Sequence, residues 1–257
     1  MKNIKVRTKL TIIVALVLVL VASESFISIQ NMNQLKNKAL DTMDTSSRQN
    51  YDDSIKEQVG VVISLLSEIN NEYKAGRYSL DEAKKIAADE IRQMRYGNGG
   101  YFWVDQSDGK NIVLLGNSTE GTNRMNTKDA EGYQMVKEII RVAVQDGGGY
   151  TDYVFPKEGE TEPSPKRSYS EYFKPFDWVV GTGNYTDYID TAIAQQDEEF
   201  TSYASSKAIS LILCSVCMLI VVAILVALIA IDITKSLRKI KEQFEVIAGG
   251  NFATKMQ

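Results

Sequence analysis

Two long apolar runs, residues 10–22 with a continuation through 29 and residues 208–231, bracket a polar stretch of ordinary domain size. A run without charges that exceeds the roughly 20 residues needed to cross a bilayer as a helix reads as a membrane span. The second run meets that test. The first is shorter in its fully apolar part, because Ser23, Glu24 and Ser25 enter before Phe26, Ile27 and Ile29 resume the pattern. A secretory signal peptide, with a basic start and a short apolar core, is the alternative. No clear small-x-small cleavage site follows Ala22 and helical periodicity carries on, so the sequence favours a retained anchor. Basic residues flank both runs on the outer ends of the chain: Lys2, Lys5, Arg7 and Lys9 before the first, Lys235, Arg238, Lys239 and Lys241 after the second. Both ends are therefore expected in the cytoplasm. The expected division is a cytoplasmic N-terminus at 1–9, transmembrane helix 1 at 10–30, an outer domain at 31–206, transmembrane helix 2 at 207–231 and a cytoplasmic tail at 232–257.

Charge and composition narrow the chemistry of the outer domain. Residues 31–206 hold 19 Lys and Arg against 29 Asp and Glu, a net of −10 in a chain whose total is −4. A surface so acidic is a poor partner for nucleic acid. The chain has no histidine, which excludes a serine triad, a histidine base and the usual zinc sites. Its two cysteines, Cys214 and Cys217, lie inside the second apolar run, where they read as small apolar residues rather than a redox pair. No cofactor is implied.

Within the outer segment, Tyr51, Ile55, Val59, Val62, Leu66, Ile69 and Tyr73 recur at steps of three and four, marking one apolar face of a long helix. Met32, Leu35, Ala39 and Met43 prolong it towards the membrane, so a single helix is expected to rise from the first anchor, with a surface free for a partner subunit. After Gly76, Ser79-Leu80-Asp81-Glu82 has the spacing of a capping box. It opens a second helix, with Leu80, Ala83, Ile86, Ala87, Ile91 and Met94 as its apolar face, and Gly97-Asn98-Gly99-Gly100 closes it. Period-two strands follow at 101–105, 111–115, 150–155, 167–172 and 178–182, with a turn at 106–109 and a helix at 133–145. Five strands with flanking helices specify an α+β domain. The four prolines, Pro156, Pro163, Pro165 and Pro175, are expected in the connections between late strands. A polar helix from 188 to 206 runs without a breaker into the second apolar run.

The motifs fall in a fixed order: Gly100-Tyr101-Phe102-Trp103-Val104-Asp105, Gly121-Thr122-Asn123, Lys128-Asp129, Gly132, Gly148-Gly149-Tyr150, Tyr153, Lys166, Ser168-Tyr169, and Trp178-Val179-Val180-Gly181-Thr182-Gly183 with Tyr185. This series resembles the single Cache domain, the extracellular sensor of many bacterial chemoreceptors and sensor kinases. Leu115-Gly116 stands where that family often has a His-Pro pair. In the tail, Ile233, Leu237, Ile240, Phe244 and Ile247 step as a coiled-coil seam, and with Ala248-Gly249-Gly250-Asn251-Phe252 they resemble the start of a HAMP module that would continue beyond Gln257. Lys235-Ser236-Leu237 departs from that module's usual proline, and a plain basic juxtamembrane helix is the alternative.

The resemblance implies a PAS-like antiparallel sheet with a long N-terminal helix, flanked by two transmembrane helices. It implies a transmembrane receptor of the methyl-accepting chemotaxis type in the bacterial cell membrane, with its sensor domain extracellular or periplasmic. Such a receptor acts as a homodimer, binds a small organic acid such as acetate, propionate, lactate or pyruvate, and addresses cytoplasmic signalling proteins through an output module. A histidine kinase or cyclic-nucleotide enzyme as output, or a membrane-tethered extracellular enzyme or adhesin, are the other readings. Against an enzyme, the acidic pairs Asp52-Asp53 and Asp197-Glu198-Glu199 are consecutive and point apart on a helix, and no nucleophile accompanies them. Against an adhesin, no repeats or low-complexity stalk appear.

A short carboxylate has little apolar area, so its binding must come from charge-assisted hydrogen bonds in a site that excludes water. Lys166, at its motif position after a proline-bounded loop, is the first candidate cation; the alternative is a solvated lysine. Arg95 is a second candidate, or else a basic residue placed by the C-terminus of the preceding helix. Tyr101 and Trp103 share one strand face while Phe102 and Val104 take the other, and Tyr101, Trp103, Tyr153 and Tyr169 are candidate donors to the ligand. Asn117-Ser118-Thr119 matches a glycosylation triplet and is read as loop.

Overall fold

The predicted apolar face of the first helix is its buried face: Tyr51, Ile55, Val59, Val62, Leu66 and Ile69 are all buried along α1, Val6–Lys74, in the computed structural model. Residues 6–97, 99–157 and 160–248 are described. Lys2, Lys5 and residues 249–252, where the HAMP resemblance ends, lie outside them. Upstream on α1 the apolar pattern does not form core, since Leu35 is exposed. The helix ends in a Schellman turn: Arg77 N–H donates to Glu72 C=O, Gly76 N–H donates to Tyr73 C=O, and Gly76 takes a φ of 79°. The capping box then starts α2, Leu80–Gln93, with Glu82 N–H donating to Ser79 Oγ and Ser79 N–H donating to Glu82 Oε2.

Among the described residues six strands follow: β1 Arg95–Tyr96, β2 Gly100–Gln106, β3 Asn111–Leu114, β4 Gly149–Pro156, β5 Pro163–Phe173 and β6 Trp178–Tyr185. All pairings are antiparallel, in the order β1-β2-β6-β5-β4 with β3 also on β2. The sequence reading had five strands; β1, two residues long, carries no periodicity that could reveal it. Helix α3, Met135–Asp146, lies between β3 and β4, and α4, Asp187–Ala248, follows β6.

The proline expectation needs correction. Pro156 ends β4, and Pro163 and Pro165 lie inside β5, so only Pro175, in a 3-10 turn over Lys174–Phe176, sits in a connection. Pro165 is tolerated because Val154, opposite it, turns its N–H outwards to Asp129 Oδ2, so that Pro165 also faces away from β4. On that other side β6 has already ended, and the Pro165 carbonyl accepts from Thr186 N–H. One ladder donor is lost, at the margin of the sheet.

The chain divides into two compact units. In the unit of residues 40–196 the sheet is a partition between two cores. One face, with Phe102, Val104, Tyr169 and Val180, packs on α1 and α2; the other, with Trp103 and Val179, packs on Met135, Val136, Ile139 and Ile140 of α3. Strand alternation assigns the faces. Burying one side of each helix against a twisted sheet supplies the apolar area that holds an α+β domain together. In the other unit, residues 1–39 with 197–257, segments of α1 and α4 are long and apolar enough to cross a membrane. Ser25 Oγ and Ser215 Oγ lie 3.2 Å apart and Lys36 Nζ reaches Asp197 Oδ1 at 2.8 Å, tying the two helices. Cys214 and Cys217 are free and exposed.

Candidate functional site

On the α3 side of the sheet a cavity of about 540 Å³ opens, with Lys166, Tyr101, Trp103 and Tyr153 all in its lining. Strand register puts them there. Tyr153 and Lys166 are direct partners across β4 and β5, and Lys166 and Tyr185 across β5 and β6, so the three side chains share a face. The neighbouring Arg167 points the opposite way, where its Nε and Nη2 hold both oxygens of Asp52 on α1 at 2.7 and 2.9 Å.

Lys166 is the electrostatic centre of the site. It is 3% exposed, its Nζ donates to Tyr101 Oη at 3.1 Å, and it lies over four rings, Tyr101 at 4.9 Å, Tyr185 at 5.0 Å, Phe155 at 5.5 Å and Trp103 at 5.9 Å. No carboxylate pairs with it among the described residues. Burial, helped by the positive charge of Arg124, lowers its pKa to about 8. An ammonium without a counter-ion in such surroundings is expensive, which is why buried lysines are rare. The ring faces offset part of that cost.

Arg124, between β3 and α3, also lines the cavity but is already neutralised. Its Nε and Nη2 donate to the two oxygens of fully buried Asp105 at 2.6 and 2.5 Å, and Asn111 Nδ2 donates to the same carboxylate at 2.9 Å. Trp103 is 2% exposed and its Nε1–H has no acceptor among the described residues. Burial raises the Tyr153 phenol above its ordinary range, so it stays a neutral hydroxyl at physiological pH. The cavity therefore combines a lysine and an indole N–H without a carboxylate or acceptor among the described residues, and half-buried phenols, with an apolar wall from α3 and β3. That combination is chemically suited to an anion with an apolar body. No group of three acidic or sulfur side chains able to hold a metal exists among the described residues.

Two sequence candidates are placed elsewhere. Arg95 is exposed on β1, and its Nη1 donates to the carbonyls of Arg92 and Met94 at 2.9 and 2.7 Å, so it caps the end of α2 instead of facing the cavity. Tyr169 lies on the other sheet face, 5.0 Å from the Tyr150 ring and beneath Lys56. It is three residues from Lys166 on one strand, and an odd separation puts two side chains on opposite faces. Phe155, Tyr185, Leu115 and Arg124 are among the lining residues that the sequence did not single out as ligand contacts. Phe155 lies two residues from Tyr153 on the same strand, so alternation alone identifies it.

The profile of the Single Cache domain 2 family matches residues 47–199. The methyl-accepting chemotaxis protein McpP of Pseudomonas putida is 29% identical over 177 residues, covering 68% of this chain and 30% of McpP. The sensor histidine kinase MctS of Rhizobium johnstonii is 33% identical over 177 residues, covering 68% of this chain and 37% of MctS. The chain thus spans about a third of the length of these curated relatives. Among solved structures, a periplasmic sensor domain of a chemotaxis protein superimposes with a TM-score of 0.51 at 30% identity, over 55% of this chain and 96% of that one. A Cache chemosensory domain solved for its recognition of carboxylic acids gives 0.52 at 27% identity, over 55% and 97%. An antiparallel sheet between a long N-terminal helix and a cavity-bearing face, with a family match over residues 47–199 and sensor domains as structural neighbours, leads to one assignment: the chain belongs to the Single Cache domain 2 family.

Proposed function

We propose that this chain is the sensory part of a transmembrane receptor that binds a small organic carboxylate in the cavity at Lys166. The observation that carries this reading is the buried Lys166 ammonium, with no carboxylate partner among the described residues, beside the Nε1–H of Trp103, which among them has no acceptor. A carboxylate supplies the missing charge and accepts both donors, and each such charge-assisted bond is roughly twice as strong as a neutral one. Tyr101 and Tyr153 complete the polar end of the site. The carboxylic-acid recognition of a structural neighbour supports the same chemistry.

In this reading residues 10–30 and 207–231 cross the cell membrane, the domain between them is extracellular or periplasmic, and residues 232–257 begin a HAMP module that leads to an output for chemotaxis. A histidine-kinase output is the second reading, favoured by the similarity to MctS. The receptor works as a homodimer. Ligand binding reaches α4 through the strand ends at the cavity. Tyr185 Oη donates to Pro156 C=O at 2.5 Å, and Lys157 Nζ pairs at 2.5 Å with Asp187, the first residue of α4. A ligand that prefers one arrangement of these groups shifts the receptor by its difference in affinity.

The test is the thermal stability of the full chain in nanodiscs against two- to six-carbon carboxylates, amino acids and nucleobases. A carboxylate at about a hundred times its Kd adds roughly 2.7 kcal/mol, and Lys166→Met should abolish that shift. Stabilisation by amino acids or bases alone, or a carboxylate shift that survives in Lys166→Met, refutes the proposal.

A further inference from the structure

Leu115 occupies a backbone conformation that leucine ordinarily avoids. Its φ is 57° and that of Gly116 is 73°, while Asn117 N–H donates to Leu114 C=O at 3.0 Å. Positive φ at both central positions is the signature of a type I′ turn, which selects Asn, Asp or Gly at the first of them. A Cβ-branching-free but bulky leucine there is strained.

The turn is held by a dedicated clamp. Glu120 Oε1 accepts the N–H groups of Leu114 and Gly116 at 2.7 and 2.8 Å, and Arg92 Nε donates to Glu120 Oε2 at 3.0 Å. These bonds keep the Glu120 carboxyl below its usual range despite partial burial. Strain over-determined by its surroundings points to a use for the strained side chain. That side chain lines the cavity, although it stays 38% exposed.

Leu115 and Lys166 stand on opposite sides of the site. Leu115 follows β3, Lys166 is on β5, and β2 and β6 lie between them, a separation of three strand spacings or roughly 14 Å between backbones. The wall between is apolar on the α3 side, with Met135, Val136 and Ile139. The cavity of about 540 Å³ is larger than acetate, with its few heavy atoms, would fill. An anion anchored at Lys166 reaches Leu115 only through a tail.

We propose that Leu115 is a specificity-determining residue, retained in its strained turn to cover the tail of an unsubstituted aliphatic monocarboxylate of about four to six carbons. This rests on the carboxylate site described above and names the class of carboxylate it takes. Hydroxy acids and dicarboxylates, which place a polar group against the Leu115 wall, bind less well.

The experiment is isothermal titration of the full chain in nanodiscs with sodium acetate, propionate, butyrate, valerate, lactate and succinate, on the wild type, Leu115→Gly and Leu115→Asn. Both substitutions suit a positive φ, so both variants should melt at or above the wild-type temperature. Affinity in the wild type should rise about fourfold per methylene from acetate to valerate. In both variants the valerate affinity should fall about tenfold while acetate stays within about twofold. Carboxylates that bind with no dependence on chain length, or variants that lose acetate and valerate equally, overturn the role of Leu115 and leave the Lys166 site standing. Failure of every carboxylate to bind the wild type overturns both.

Discussion

Replacing Lys166 by methionine separates the energetics of the site from those of the fold. With a pKa near 8 in the ligand-free protein against an ordinary value of 10.5, the charged form is disfavoured in the folded state. At about 1.4 kcal/mol per pH unit, this costs roughly 3 kcal/mol while the folded lysine is protonated. Four ring faces return part of that. Lys166→Met keeps the aliphatic volume and removes the charge, so at pH 7 it should stabilise the ligand-free chain by roughly 1–3 kcal/mol. For a domain of this size that is a rise in melting temperature of roughly 3–9 °C. The sign with pH follows from proton counting. Below pH 8 both folded and unfolded lysine bind the proton and the penalty is complete. Between about 8 and 10.5 only the unfolded chain keeps it, so wild-type stability climbs with pH and the advantage of the variant shrinks. The assay is thermal melting of both proteins in nanodiscs at pH 7, 8 and 9.5, without ligand. A variant less stable than wild type at pH 7, or an advantage unchanged at pH 9.5, would refute the argument that Lys166 is a buried cation held for an anion.

Because the ligand needs the protonated amine, carboxylate affinity should fall about tenfold per pH unit above about 8, with proton uptake on binding visible as a buffer-dependent calorimetric enthalpy. Gly181→Ala should lower stability by roughly 1–3 kcal/mol, since its Cβ would sit 2.5 Å from Trp103 Cε2 and 2.7 Å from Ser170 Oγ; an unchanged melting temperature would contradict this packing. Arg124→Ala strands the buried Asp105 carboxylate and should cost roughly 3–5 kcal/mol, a loss that thermal melting should detect and that Arg124→Ala with Asp105→Asn should partly restore.

Local pattern carried much of this fold. The two apolar runs, the buried stripe of α1, the capping box at Ser79 and the opposed faces of Tyr101–Trp103 and Phe102–Val104 all follow from periods of 3.6 and 2 and from one-turn hydrogen bonds. Prolines at 163 and 165 conceal the first part of β5, so the sequence pattern begins that strand only at Arg167 and does not relate the faces of Lys166 and Tyr169. The sequence places Arg95 at the end of a helix, and its side chain does cap that helix, but its backbone starts β1.

What the chain determines by itself is every feature whose interaction partners lie within a few residues, together with the motif order that marks the family. Only the tertiary structure decided what β6 does by lying between β2 and β5: it brings Tyr185 beside Lys166 and sets Gly181 beneath Trp103. Likewise the spending of Arg124 on Asp105, which leaves Lys166 as a cavity cation with no carboxylate partner among the described residues, and the clamp of Glu120 on the Leu115 turn depend on long-range placement. A charge's partner and a pocket's wall are set by which strands pair and in what register, and that pairing is fixed by the burial of both sheet faces at once, a condition no local window contains.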